Sequence, residues 1–95
     1  MKAENNFKKA KLILKVVGDF YDVDLLNSEF YTSRKRKYLY PRMIANFIIV
    51  KGNILSFYKA GSLYKCEKKP KGITHASIIN NVERVKDLLD YYKEF

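Results

Sequence analysis

Two stripes of apolar residues at helical spacing, one near each end of the chain, do most to limit what this sequence can fold into. In the C-terminal segment Ile78, Val82, Val85, Leu89 and Tyr92 recur at four- and three-residue steps, while Glu83, Arg84, Asp87 and Asp90 fall off the stripe. A half-buried strand would alternate at every second residue, so this spacing predicts a long amphipathic helix from near Thr74 almost to the terminus. In the N-terminal segment Phe7, Ala10, Leu14, Val17 and Tyr21 mark a similar face, and Leu12, Ile13, Val16 and Phe20 are expected to broaden it. That helix is placed from about Asn5 to Phe20. Asp24 is the expected cap of a short turn that packs Leu25 and Leu26 under it, so scaffold helices should occupy 5–27.

A chain of 95 residues has room for one core. The expectation is therefore one domain over 1–95, all-α, built as a small helical bundle. The basic run Ser33-Arg34-Lys35-Arg36-Lys37 reads as part of a loop over 33–40. Pro41 then reads as the first residue of a helix over 41–51, because proline at that position loses only a backbone donor that has no partner anyway. Gly52-Asn53 should end that helix through a left-handed residue. The segment 54–66 is ambiguous. With period two, Ile54, Ser56 and Tyr58 face Leu63 and Lys65 across Ala60-Gly61 as a β-hairpin; with helical period, Phe57, Ala60, Leu63 and Tyr64 form one face.

Charge narrows the partners. Lys and Arg number 19 against 10 Asp and Glu, a formal charge of +9, and the cations cluster at Arg34 to Lys37 and at Lys68, Lys69 and Lys71. So dense a positive field on so small a body predicts an anionic partner such as nucleic acid or an acidic membrane surface, the bland alternative being solubility alone. Cys66 is the one cysteine, which excludes an internal disulfide and a multi-cysteine metal site and fits a cytoplasmic setting. No apolar run approaches the roughly 18–20 residues that span a bilayer, so no membrane partner is expected. The sequence has no GxxxxGK[ST] phosphate loop, and nothing in it supplies an orienting group or oxyanion site for a Cys66–His75 pair. No enzyme activity, cofactor, metal or small-molecule substrate is expected.

The order of motifs resembles the C-terminal DNA-binding domain of the bacterial replication initiator DnaA, across nearly the whole chain. Asp19-Phe20-Tyr21 through Leu25-Leu26 look like the end of that family's first helix and its Leu-Leu turn. Arg34 to Lys37 stand where the family has a basic loop, and Pro41-Arg42 with Ile44-Ala45 look like its Pro-Arg-Gln-hydrophobic-Ala helix. Ser56, Phe57, Ala60, Gly61 and Tyr64 sit like Ser-Leu-x-x-Ile-Gly-x-x-Phe. Thr74-His75-Ala76-Ser77-Ile78-Ile79 look like Asp-His-Thr-Thr-Val-x. The resemblance implies a Trp repressor-like helix-turn-helix over 54–92, with helix rather than hairpin before Cys66, that binds double-stranded DNA in replication or transcription control. A free-standing domain of this kind suggests a phage or mobile-element origin. Departures fall on the reading surface: Thr74 replaces an acidic residue, Ala76 and Ser77 replace two threonines, Tyr40 replaces an arginine, and the turn before Thr74 is longer. The implied docking mode is therefore kept, with a target other than the initiator's own box.

The chemistry of a helix N-terminus supports that expectation independently. Its unpaired N–H groups and positive dipole end attract phosphate, and small side chains let it approach base edges. Thr74 and Ala76 suit thymine methyl groups, Ser77 and His75 can hydrogen-bond bases, and Lys68, Lys69 and Lys71 would grip phosphate. Arg34, Lys35, Arg36 and Lys37 would reach an adjacent groove or backbone, with Tyr40 and Arg42 at the start of the following helix. The bland alternatives are a plain cap at Thr74 or Ser77, a packed His75 and a solvated basic loop. Competing functions are a protein-interaction module that mimics the initiator domain, and an RNA or single-strand binder using the chain's 8 tyrosines and 6 phenylalanines. Tyr91-Tyr92 and Phe95 are expected in the core or in a small homodimer patch.

Overall fold

A computed structural model describes the whole backbone except Met1, Thr32, Arg34, Lys68, Glu94 and Phe95, and the side chains over 5–91 except those three internal residues and Phe30. Among the described residues there are four α-helices and no strand: α1 (Lys2–Tyr21), α2 (Arg36–Lys51), α3 (Phe57–Ser62) and α4 (His75–Lys93), with a 3-10 turn at Ser28–Phe30. The fold is all-α, a small helical bundle. None of these helices is long and apolar enough to cross a membrane.

The central element is α2. It packs against α1, α4 and α3, and that position explains why its apolar residues lie all around it and not in one stripe. Pro41, Met43, Ala45 and Ile49 are buried in it, together with the polar Arg42 and Asn46. The core gathers Ala10, Leu14 and Val17 from α1, Leu55, Ala60, Leu63 and Tyr64 from α3 and its flanks, and Ile78 and Val82 from α4. Burial of each large aliphatic contributes about 1.5–3 kcal/mol relative to leaving it exposed.

The start of α2 corrects the expected loop over 33–40. The helix begins at Arg36 with Lys35 as its N-cap, so Arg36, Lys37 and Tyr40 are helical and Pro41 lies inside the helix. A proline so near the N-terminus removes one hydrogen bond, to the Lys37 carbonyl. That loss is tolerated because the ring is buried against the bundle and the preceding residues are ordinary helix formers. At the other end Gly52 keeps a negative φ, and Asn53 takes the left-handed conformation (φ 57). Asn53 and Ile54 donate to Val50 and Ile49 at 3.0 Å each, closing a Schellman motif.

Helix α1 ends in the same way: Asp22 has φ 57, and Asp22 and Val23 donate to Asp19 (3.2 Å) and Gly18 (2.8 Å). Asp24 does cap a turn, its carboxylate accepting from the Leu26 N–H at 3.0 Å, but only Leu25 is buried and Leu26 is exposed. The α1 stripe is also narrower than expected. Ile13 is half-buried, whereas Leu12, Val16 and Phe20 point to solvent, because α2 covers one side of α1 only. On α4, Leu88, Leu89 and Tyr91 are exposed, since every described side chain from 86 onward lies outside the core. The side chain of Tyr92, and Phe95 altogether, lie outside the described residues.

Segment 54–66 holds the short helix α3 and no strand. Ser56 caps α3, its hydroxyl accepting from the Lys59 N–H at 3.3 Å. Gly61 then lets α3 touch the chain leading into α4: a methyl there would collide with the Ile73 carbonyl oxygen, and one at Gly72 (φ 78) would collide with the Gly61 carbonyl oxygen. Gly61 thus lies against the Ile73 backbone and Gly72 against the Gly61 backbone, and the Ile73 N–H donates to the Gly61 carbonyl at 3.0 Å.

Candidate nucleic-acid interface

Thr74 is the cap of α4. Its hydroxyl accepts from the Ser77 N–H at 3.3 Å and lies 3.1 Å from the Ser77 hydroxyl, while its carbonyl accepts from Ile78 at 3.3 Å. With the Ser77 amide capped, His75 and Ala76 contribute the outward N–H groups of the first turn. Thr74, Ala76 and Ser77 are exposed and His75 is half-buried. The tip of α4 thus offers three small exposed side chains and free donors, and the cap and the open surface coexist in Thr74 and Ser77.

His75 is held by a partner the sequence did not single out. Its ring stacks on Tyr58 of α3, with centroids 4.1 Å apart and planes at 28°, and Tyr58 is itself largely exposed. Stacking uses the face of the imidazole and leaves its in-plane nitrogens for hydrogen bonding.

The cations come from two directions. Lys69 and Lys71 are exposed in the connection 63–74, which is folded: Cys66 and Lys69 exchange backbone hydrogen bonds at 3.0 Å each, and Gly72 donates to Lys69 at 2.9 Å. Lys35, Arg36 and Lys37 are exposed at the start of α2, with the Lys37 ammonium 5.6 Å from the centre of the Tyr38 ring. A concavity of about 320 Å³ lies between α2 and the tip of α4, lined among others by Leu39, Arg42, Lys69, Thr74, Ser77 and Asn81. Arg34 and Lys68 lie outside the described residues, and Tyr40 is half-exposed farther along α2.

Arg42 corrects its expected place at a helix start. It sits well inside α2 and is 6% exposed, and its guanidinium donates to the Ser33 carbonyl at 2.9 Å. Burial pulls its pKa below the usual arginine value, with Tyr64 opposing the shift, but an arginine remains cationic at neutral pH. Arg42 therefore pins the basic segment beside α2 and adds positive potential to the back of the concavity.

Below the concavity lies a buried polar network. The Tyr64 hydroxyl donates to the Asn46 side-chain oxygen, and the Asn46 amide donates to the Asn81 side-chain oxygen at 3.1 Å. Tyr31 stacks edge-on against Tyr64 at 5.2 Å between centroids. Asn81 is on α4 and Asn46 on α2, so this network fixes the rotation of α4, and with it the residues its tip presents. Its only signals in the sequence were an asparagine in the middle of an apolar helix and another one turn past Ser77. Among the described residues no cluster of His, Cys, Asp and Glu could hold a metal ion. Comparison of the chain with protein-family models, with curated proteins and with solved structures finds no match in any of the three.

Proposed function

We propose that the chain is a sequence-specific reader of double-stranded DNA, acting in replication or transcription control, that sets the tip of α4 in the major groove. The observation that carries this reading is the exposed first turn of α4, where Thr74, Ala76 and Ser77 are small and open beside a concavity that Lys69 and Arg42 line. His75 and Ala76 amides meet a phosphate, Ser77 and the imidazole of His75 hydrogen-bond base edges, and Ala76 with the Thr74 methyl packs on thymine methyls. Lys69 and Lys71 on one flank and Lys35, Arg36 and Lys37 on the other bind the backbone. The α2 flank supports the reading for a further reason. Its first turn has no acidic residue, so Arg36 and Lys37 sit at the positive end of a helix dipole, a locally unfavourable place that a polyanion relieves. The resemblance to the initiator's DNA-binding domain, with α3 and α4 as a helix-turn-helix, agrees with this assignment.

In vitro selection of duplexes from a random pool tests it. An enriched motif is expected, with log affinity falling against log salt at a slope of about −5 if five or six phosphates are neutralised. His75→Ala and Ser77→Ala should flatten the preference, while Lys35→Ala and Lys69→Ala should weaken all duplexes alike and reduce the slope by about one each. A pool that returns no motif sinks the proposal, and tight capture of a protein in its place would favour the interaction module.

A further inference from the structure

The outer face of α1 has an apolar stripe that none of the described residues covers. Leu12 and Val16 are each 60% exposed and Phe20 is 81% exposed, and they succeed one another at steps of one helical turn. Phe20 is held edge-on by Tyr21, with centroids 5.0 Å apart. Lys8, Lys11, Lys15 and Asp19 follow at three- and four-residue steps along one edge of the stripe, Lys9 lies on the other, and all are exposed. The helix is therefore basic along its first three turns and acidic where it ends, at Asp19, Asp22 and Asp24, which line a groove with Lys15. The last turn holds no basic residue, so Asp19 and Asp22 sit at the negative pole of the helix dipole, where carboxylates are disfavoured and cations welcome.

We infer that this face binds a second copy of the chain, α1 against α1 in antiparallel register about a twofold axis at Val16. In that register Val16 meets Val16, Leu12 meets Phe20 of the other copy, Lys15 meets Asp19, and Lys8 and Lys11 approach Asp24 and Asp22. A twofold interface requires one surface to complement itself, and a helix with opposite charges at its two ends does so only when reversed. A parallel pair would set lysine against lysine and aspartate against aspartate. The three stripe residues with Tyr21 leave on the order of 400 Å² of side-chain surface per copy, about half of a standard interface, so the dimer is a weak one, micromolar or weaker. The inference does not rest on DNA binding.

Sedimentation velocity of the full chain from about 5 to 300 μM tests it, a range that covers micromolar affinity. A reversible monomer–dimer equilibrium is expected, weakened by salt. Val16→Glu should abolish it without changing helicity or thermal stability, because that side chain is mostly in solvent, and Phe20→Ser is a second probe of the same face. The double variants K11D/K15D and D19K/D22K should each be monomeric and should pair when mixed. A chain that stays monomeric throughout, a dimer indifferent to Val16→Glu, or binding of the stripe to anionic phosphatidylserine vesicles without self-association would each overturn the inference.

Discussion

Replacing Gly61 by alanine tests how the tip of α4 is held. The added methyl would fall on the Ile73 carbonyl oxygen and close to the Ile78 side chain, so α3 and the segment leading into α4 must separate. Separation lengthens or breaks the Ile73-to-Gly61 hydrogen bond, worth about 1 kcal/mol net. Overpacking at a rigid backbone contact adds about 1–3 kcal/mol. Alanine regains about 0.5–1 kcal/mol because it is the better helix former. The net expectation is a loss of about 1–3 kcal/mol, read as a fall in the urea midpoint at unchanged slope. The mutation should also shift the direction of α4 and impair DNA binding beyond what the stability loss explains. Gly72→Ala, which strains φ 78 and meets the Gly61 carbonyl, should destabilise too. The double variant should lose less than the sum, because one separation relieves both clashes. An unchanged midpoint for Gly61→Ala, or strict additivity, would refute the proposed close contact.

Further perturbations check the other supports. Tyr64→Phe leaves the buried Asn46 oxygen without its donor and should cost about 1–3 kcal/mol in chemical denaturation. Burial raises the Tyr64 pKa above the ordinary 10.0, so the folded state keeps a proton that the unfolded chain releases. Its contribution is therefore intact below pH 10 and lost above it at up to about 1.4 kcal/mol per pH unit; the alkaline slope of stability should be shallower in Tyr64→Phe. Asp22→Gly should raise stability by about 1 kcal/mol, because aspartate holds a left-handed φ that glycine adopts without strain, and differential scanning calorimetry reads the shift. Tyr58→Ala removes the stack on His75 and should relax the selected motif while sparing the salt slope.

The amphipathic spacing made α4 legible to within a residue at its start, and Thr74 as its cap was weighed from the residue type alone. Period could not say how wide a face the neighbours would cover. Leu12, Val16 and Phe20 belong to the same pattern as the buried Leu14 and Val17, and only the position of α2 separates them. Pro41 misled because proline marks a helix start by frequency, whereas its ring needs only a place near the first turns where one lost hydrogen bond is affordable. Segment 54–66 was undecidable locally: α3 is short, contains a glycine, and exists because Ser56 caps it and Gly61 meets backbone distant in sequence. The Tyr64–Asn46–Asn81 network joins three residues from three segments, so neither motif nor periodicity could assemble it. The candidate cations were visible by composition, whereas the placing of Arg42 and Lys69 on one concavity was not, because it depends on how α2 packs beside the connection into α4.

The connection 63–74 closes its tip through Cys66 and Lys69 and fixes its exit through the separate bond from Ile73 to Gly61. Length and aim are thereby uncoupled: the turn that Cys66 and Lys69 close can be altered while Gly72 and Ile73, held against Gly61, keep the heading of the helix that follows. On the proposed function, rewriting this overhang alone would retune how firmly such a chain grips DNA and leave untouched the residues proposed to choose where it lands.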